Sequence, residues 1–476
     1  MEYCQNVIVS IADEDGARAV ILTLLDASKS NNLNKKRAAI MLLSYYCTQS
    51  KPGTTAQFNS TILTNLIDFF SSNDECILSK ASEAMAAIIK NLDKWQQVDV
   101  IPEVYRKLYS TLNERLPDNY RRMGVFTYSY SPLTSNYQYV DHPDFYFPGF
   151  FFNKTIQSLL NLFNKAITGN NFEIRVIGCN AYRMIVIHSS PEALKPSSMI
   201  LCGSMLRLLC DHPKEDVKII VIDVLSLLLM KMSVFLKPFY PQIQMIFLRS
   251  LFEPVKSLRL QAATCISRFA PFHPKPDAFL SELLTLNKNC PIEPPYLKET
   301  GFFAIRLAIV TAGERFSSAV HRQVYEYATN YKEDMTNEIQ QTAASVIGSL
   351  CRVVDDELFD EIGHQFLLQD EVNFVQHARK FRSIVLGIAL KDAAHRTIGR
   401  NNDWSAMIHQ NVLSLISSSI TYLAVHGIKC AAYIIHYSLK NDLVIDKNLL
   451  HAFAKVCFIY FFLVNVLISY LTIYRQ

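Results

Sequence analysis

Glycine is scarce in this chain, 14 of 476 residues, and neither sign of charge dominates: 47 basic and 43 acidic side chains leave a net +4. So few glycines exclude a loop-heavy fold. The weak positive balance permits an acidic or nucleic-acid partner without demanding one, because dedicated nucleic-acid binders carry a strongly basic stripe. No alternating apolar–polar pattern persists, so a substantial sheet is not expected. Phosphate-cradling glycine loops, nucleophile elbows and H-E-x-x-H are all missing. The 12 His are dispersed, and pairs such as His273 with His321 lack ligand spacing. His377 and His395, near basic residues, weigh far more as surface or satisfied core histidines than as metal ligands. Asp355-Asp356-Glu357 and Glu333-Asp334 suit helix starts, where the dipole favours carboxylates. The sequence therefore predicts no enzyme, no cofactor and no metal. The 11 Cys form no C-x-x-C pair, and Cys47, Cys179, Cys202, Cys210 and Cys265 sit in apolar helical stretches as small buried residues of a reducing compartment. A cytoplasmic location follows. The opening MEYCQNVIVSIADEDG has no basic region ahead of a long apolar core, unlike a secretory signal.

What is present is apolar content, 50%, arranged with helical spacing. Lys214 to Met232 places Val217, Ile220, Val221, Val224, Leu225, Leu228 and Leu229 on one wide face. Pro238 and Pro241 open the next helix, which runs through Met245 and Phe247 to Leu251, since proline is tolerated where first-turn N–H groups have no partner. A third helix spans Ser257 to Phe269. The first and third share an apolar–basic phrase, Val217-Lys218 and Leu258-Arg259, 41 residues apart. Related phrases begin near Lys36-Arg37, Ile77, Ile174-Arg175, Ile339 and Val375, and from Ile77 onward the gaps are 97, 43, 41, 81 and 36. The two long gaps each hold two periods, and Tyr296 to Val310 supplies the helix missing from the second. A period near 40 built from helix pairs marks HEAT or armadillo arrays. The predicted fold is all-α, a HEAT/armadillo-like helical-repeat solenoid of about ten hairpins.

Along the chain, residues 1–115 read as repeats. Residues 116–149 break the pattern, with Tyr120, Tyr128, Tyr130, Tyr137, Tyr139 and Tyr146 among Pro, Ser, Asn and Asp. This tyrosine-rich stretch is either a long inter-repeat loop laid on the solenoid, which weighs more, or a stacking surface for RNA bases or a peptide beside Arg121 and Arg122. Residues 150–455 resume the repeats. The tail, 456–476, contains nineteen uncharged residues between Lys455 and Arg475. Three readings stay open for it: a membrane anchor, a last buried helix, or an artefactual terminus.

The phrase Phe235-Leu236-Lys237-Pro238-Phe239-Tyr240-Pro241-Gln242, followed by Leu258-Arg259-Leu260-Gln261-Ala262-Ala263, resembles the C-terminal region of the general-control translational activator family. Arg37-Ala38-Ala39 with Cys47 and Lys51, Leu78 to Leu92, Pro148-Gly149-Phe150, Val375 to Arg379 and Gly427-Ile428-Lys429 extend the resemblance in collinear order from Val7 to Cys457. Residues 116–147 and the tail from Phe458 depart from it. The family protein is several times longer, so the chain is expected to be a fragment. The resemblance implies a scaffold that docks the RWD domain of the kinase acting on the alpha subunit of initiation factor two. It implies that docking promotes the kinase on stalled ribosomes during amino-acid starvation, with ribosome contacts made by other parts of the full-length protein. Local tethering raises effective concentration without any chemistry.

Candidate partner contacts follow from residue type. Lys214, Lys218, Arg249, Lys256 and Arg259 form a basic cluster across two neighbouring hairpins, with Phe239 and Tyr240 at a helix start beside them. Arginine and aromatics are frequent interface anchors. The opposing reading makes the basic residue of each apolar–basic phrase a rung pairing with a carboxylate in the next repeat, and for Arg259 that reading weighs slightly more. The competing function is a generic HEAT scaffold, karyopherin-like or phosphatase-type, unrelated to translation. Only Trp95 and Trp404 are present, which argues against an armadillo peptide groove.

Overall fold

In a computed structural model of the chain, the described residues are 2–11, 13–51, 53–114, 127–131, 136–140, 146–211, 213–333, 336–368 and 376–455. The tail 456–476 and most of the 116–149 stretch lie outside them. Helices dominate, and antiparallel helix pairs repeat along the chain as a HEAT solenoid. One departure is a two-stranded sheet, β1 (Thr127–Ser131) with β2 (Asn136–Val140). Its tyrosines alternate with Ser, Asn and Gln, a pattern too polar to stand out as a strand.

The chain divides into two compact units. The first comprises Met1–Tyr130, Gln138–Phe247 and Val255–Cys265; the second comprises Ser131–Tyr137, Leu248–Pro254 and Ile266–Gln476.

The first unit begins with α1 (Glu2–Ser10), then pairs α2 (Glu14–Ser28) with α3 (Leu33–Gln49) and α4 (Asn59–Phe69) with α5 (Glu75–Asn91). Next come α6 (Lys94–Asn113), α7 (Asn153–Thr168), α8 (Phe172–His188), α9 (Ser198–Cys210) and α10 (Glu215–Leu236). Several helix starts are marked by side-chain caps. Asp74 accepts from the Ile77 N–H, Asn171 from Ile174, and Asp93 with Gln96 forms a reciprocal capping box. The first apolar residue of each repeating phrase (Ile77, Ile174, Val217 and Leu258) is buried, which is why the period is legible. Along α10 the side chains of Val217, Val221, Val224, Leu225, Leu228 and Leu229 are fully buried, each contributing roughly 1.5–3 kcal/mol. The link at Pro148-Gly149-Phe150 threads a narrow gap: the Gly149 N–H donates to the Phe70 carbonyl at 2.7 Å, and a Cβ there would stand 2.6 Å from that oxygen.

A 3-10 turn at Lys237–Phe239 leads into α11 (Tyr240–Ser250), followed by α12 (Lys256–Phe269). The second unit continues with α13 (Pro276–Asn289), α14 (Pro295–Ala312), α15 (Ser318–Thr329), α16 (Asn337–Leu350), α17 (Asp356–Ile362), α18 (Gln376–Asp392), α19 (Asn402–Ile416) and α20 (Thr421–Lys440). Helices α14, α16, α18 and α20 pack side by side as one row. Gly348 lets α16 approach α18, since a Cβ there would lie 2.5 Å from the Ile388 Cβ.

A recurrent cation ties repeats together within each unit. A helix end leaves carbonyls without intrahelical donors and carries partial negative charge. Lys231 donates to the Ile187 and Ser189 carbonyls at 2.8 and 2.7 Å. Arg315 reaches the Ala270, Pro271 and His273 carbonyls, Arg352 those of Ile309 and Val310, and Arg396 those of Cys351 and Val354. In every case the acceptor lies 42 to 45 residues earlier, one repeat back.

Candidate partner-binding surface

Lys214 holds the N-cap position of α10 and is exposed, and its ammonium lies 4.4 Å from the ring centroid of Phe172 at the start of α8. That cation–π contact bridges consecutive repeats. Lys218, one turn on, is half-buried, as is Phe239 in the 3-10 turn. Arg249, in the last turn of α11, and Lys256, at the start of α12, are exposed.

The other two candidates lie inside the fold. Tyr240 is 4% exposed and donates its hydroxyl to the Ser233 carbonyl at 2.9 Å. Arg259 is 4% exposed. An inner helix is covered by its own hairpin partner and by the neighbouring repeat, so both Leu258 and Arg259 fall in covered sectors. The side-chain rung found nearby centres on Asp223: Arg183 Nε donates to it at 2.6 Å and Gln261 at 2.9 Å, joining α8, α10 and α12.

Residue type alone missed Val234 and Phe235, which are 64% and 42% exposed at the end of α10. Met232 has non-helical φ/ψ (−142°, 35°), and this break re-phases the last turn and brings both outward. Pro238, which has no N–H for the Val234 carbonyl, is the sequence signal for a helix ending there. The Lys195 ammonium caps the Phe235 ring at 4.7 Å.

Burial pushes the thiols of Cys47, Cys179, Cys202 and Cys351 up to about 12, which makes them poor nucleophiles. Cys210, expected inside, is exposed. His321 is buried with Nε2 at 3.0 Å from the Gly313 carbonyl, and His273 stacks on Phe279. Burial lowers the pKa of both. Among the described residues, no three His, Cys, Asp or Glu side chains gather closely enough to hold a metal ion.

Two stretches match families described as "Stalled ribosome sensor GCN1-like, HEAT repeats": residues 1–130 and residues 277–458. The chain is 26% identical over 441 residues to human "Stalled ribosome sensor GCN1", covering 93% of this chain and 15% of that protein. It is 22% identical over 395 residues to "eIF-2-alpha kinase activator GCN1" of Saccharomyces cerevisiae, covering 82% of this chain and 13% of that one. Against a solved importin beta structure the TM-score is 0.44, with 12% identity over 88% of this chain and 52% of that one. The chain thus spans about 15% of the human relative's length. From both matched stretches, and from the collinear similarity that runs between them, the chain belongs to the GCN1-like HEAT-repeat family.

Proposed function

We propose that this chain is a non-enzymatic scaffold of the cytoplasmic translational stress response, which binds the RWD domain of the initiation factor two alpha kinase and promotes its activation on stalled ribosomes. The observation that carries this reading is the similarity over 93% of the chain to a protein named as a stalled ribosome sensor, joined by 82% coverage against one named as an eIF-2-alpha kinase activator. The solenoid suits such a role because successive repeats present side chains without any catalytic centre. Arg249 and Lys256, both exposed, are the first candidates for the kinase contact, with Lys214, Lys218 and Phe239 as flanking contributors. Arg259 and Tyr240, both buried, act within the fold and not as direct contacts. Ribosome contact belongs to other parts of the longer relatives.

A pull-down of the whole chain with the purified RWD domain tests this, beside Arg249→Glu with Lys256→Glu. Loss of binding in the double variant, with helicity and melting unchanged, supports the reading. Unchanged binding moves the contact elsewhere on the solenoid. No binding by the wild-type chain overturns the kinase partner.

A further inference from the structure

A cleft of about 390 Å³ opens in the first unit between the start of α6, the end of α7 and the turn into α8. Its wall carries Lys94, Gln97 and Val98 from α6, Lys165 and Thr168 from α7, then Gly169, Asn170, Asn171 and Ile174. The two charged side chains on that wall are both lysines. Lys165 is partly withdrawn from water, which lowers its pKa, and its ammonium donates to the Leu92 carbonyl at 3.1 Å. Two further N–H groups of that ammonium remain for an acceptor in the cleft. Val98 and Ile174 supply an apolar strip.

Trp95 stands beside this opening. It is 86% exposed, in the first turn of α6, and precedes Val98 by three residues, so the two are neighbours on the helix surface. Val98 itself is 44% exposed. An exposed indole one helical turn from the cleft-lining Val98 is a residue type enriched among interface anchors. The 116–149 insertion leaves from the far end of α6. At 1.5 Å per residue this 20-residue helix sets that end about 30 Å away.

We propose that this cleft docks a short acidic segment of a partner protein, its carboxylate seated by Lys94 and Lys165 and an adjacent apolar side chain laid against Val98 and Trp95. The charge of the wall selects an anion. The carboxylates of Asp93 and Glu173, at the starts of α6 and α8, select against a continuous phosphate backbone while tolerating one or two acidic side chains flanked by apolar ones. Asp93 accepts the Gln96 N–H in the capping box of α6 and forms an ion pair with neither lysine. The site is separate from the Arg249 and Lys256 surface and stands whether or not the kinase partner is correct.

The chain's own tryptophans provide the readout. Trp404 is 8% exposed and stacks on Phe359 at 5.4 Å, so acrylamide quenching reports chiefly on Trp95. The probe is a fluorescent peptide of about ten residues combining Glu and Asp with Leu and Phe, a length suited to one groove. It is compared with a peptide carrying Lys in place of the acids, and with a single-stranded RNA of similar length. The acidic peptide is expected to bind and to shield Trp95 from acrylamide. Lys94→Glu and Trp95→Ala, both at exposed positions, are each expected to weaken it by about tenfold while circular dichroism and melting stay unchanged. Failure of the wild-type chain to bind the acidic peptide overturns the proposal. So does equal binding of the lysine peptide, tighter binding of the RNA, or undiminished binding by both variants.

Discussion

Lys231 in the first unit and Arg352 in the second are both 8% exposed and both close a helix end one repeat back, but by different chemistry. The lysine is a point charge with three donors. It works because the Ile187 and Ser189 carbonyls converge on it, and the Tyr146 ring covers it at 4.4 Å. The arginines use a planar fork that reaches acceptors spread along the chain. Arg396 donates to the Cys351 carbonyl at 3.1 Å, to Val354 at 2.6 Å and to Asp356 at 2.8 Å. What recurs is the task of neutralising a helix end buried in the repeat stack, while the residue performing it varies.

The largest test of that equivalence is Lys231→Leu beside Arg352→Leu. Each removes a buried cation from the carbonyls it caps, although the Ile309 carbonyl keeps the Gly313 N–H, and is expected to cost about 3 kcal/mol in urea unfolding. A cost near zero in one and not the other would break the comparison. Arg352→Lys sharpens it: if the fork matters, the exchange costs about 1 kcal/mol even though the charge is kept. Gly348→Ala forces a Cβ against Ile388 and should cost about 2 kcal/mol by overpacking the α16–α18 contact.

A smaller effect is set by pH in the second unit. His273, His321, His395 and His426 all lie in the second unit, and burial holds each below the usual histidine range. A group whose folded pKa is depressed takes up its proton more readily when unfolded. The contribution to stability is therefore complete above about pH 6.5 and declines as pH falls below it. Melting at acidic pH should drop, and His321→Gln should remove part of that drop. Smallest is Gly203→Ala. This glycine sits inside α9 with nothing within 4 Å of an added Cβ, so helix propensity alone should raise stability by about 0.5–1 kcal/mol.

The repeat period was legible because its markers are buried. Ile77, Ile174, Val217, Leu258 and Ile339 each start an inner helix with a covered side chain, and burial constrains residue type. The inter-repeat cations were not legible. They stand at or just beyond the C-terminal ends of their helices, are Lys once and Arg three times, and at Lys231 look like an ordinary interruption of the apolar run Leu229-Met230-Lys231-Met232. Ranking of the candidate surface suffered for a related reason. Spacing tells which residues share a helix face, but how many faces are covered depends on neighbours supplied one repeat away. Arg259 and Tyr240 were picked by type and lie buried, whereas Phe235 is turned outward by a backbone break at Met232 that no residue type announces.

The run Glu215–Ser250 has the length and apolar composition of a membrane-crossing helix, and 67% of its most apolar window is covered by the fold. Such a segment is hazardous while a polypeptide is still being synthesised, when insertion machinery and aggregation compete for it. Two of the helices that pack on α10, α8 and α9, precede it in the chain and have left the ribosome before it emerges, while α12 follows it. Synthesis order thus supplies part of the shelter ahead of the segment that needs it. Reordering the chain so that α10 is synthesised ahead of α8 is therefore expected to yield less recoverable protein.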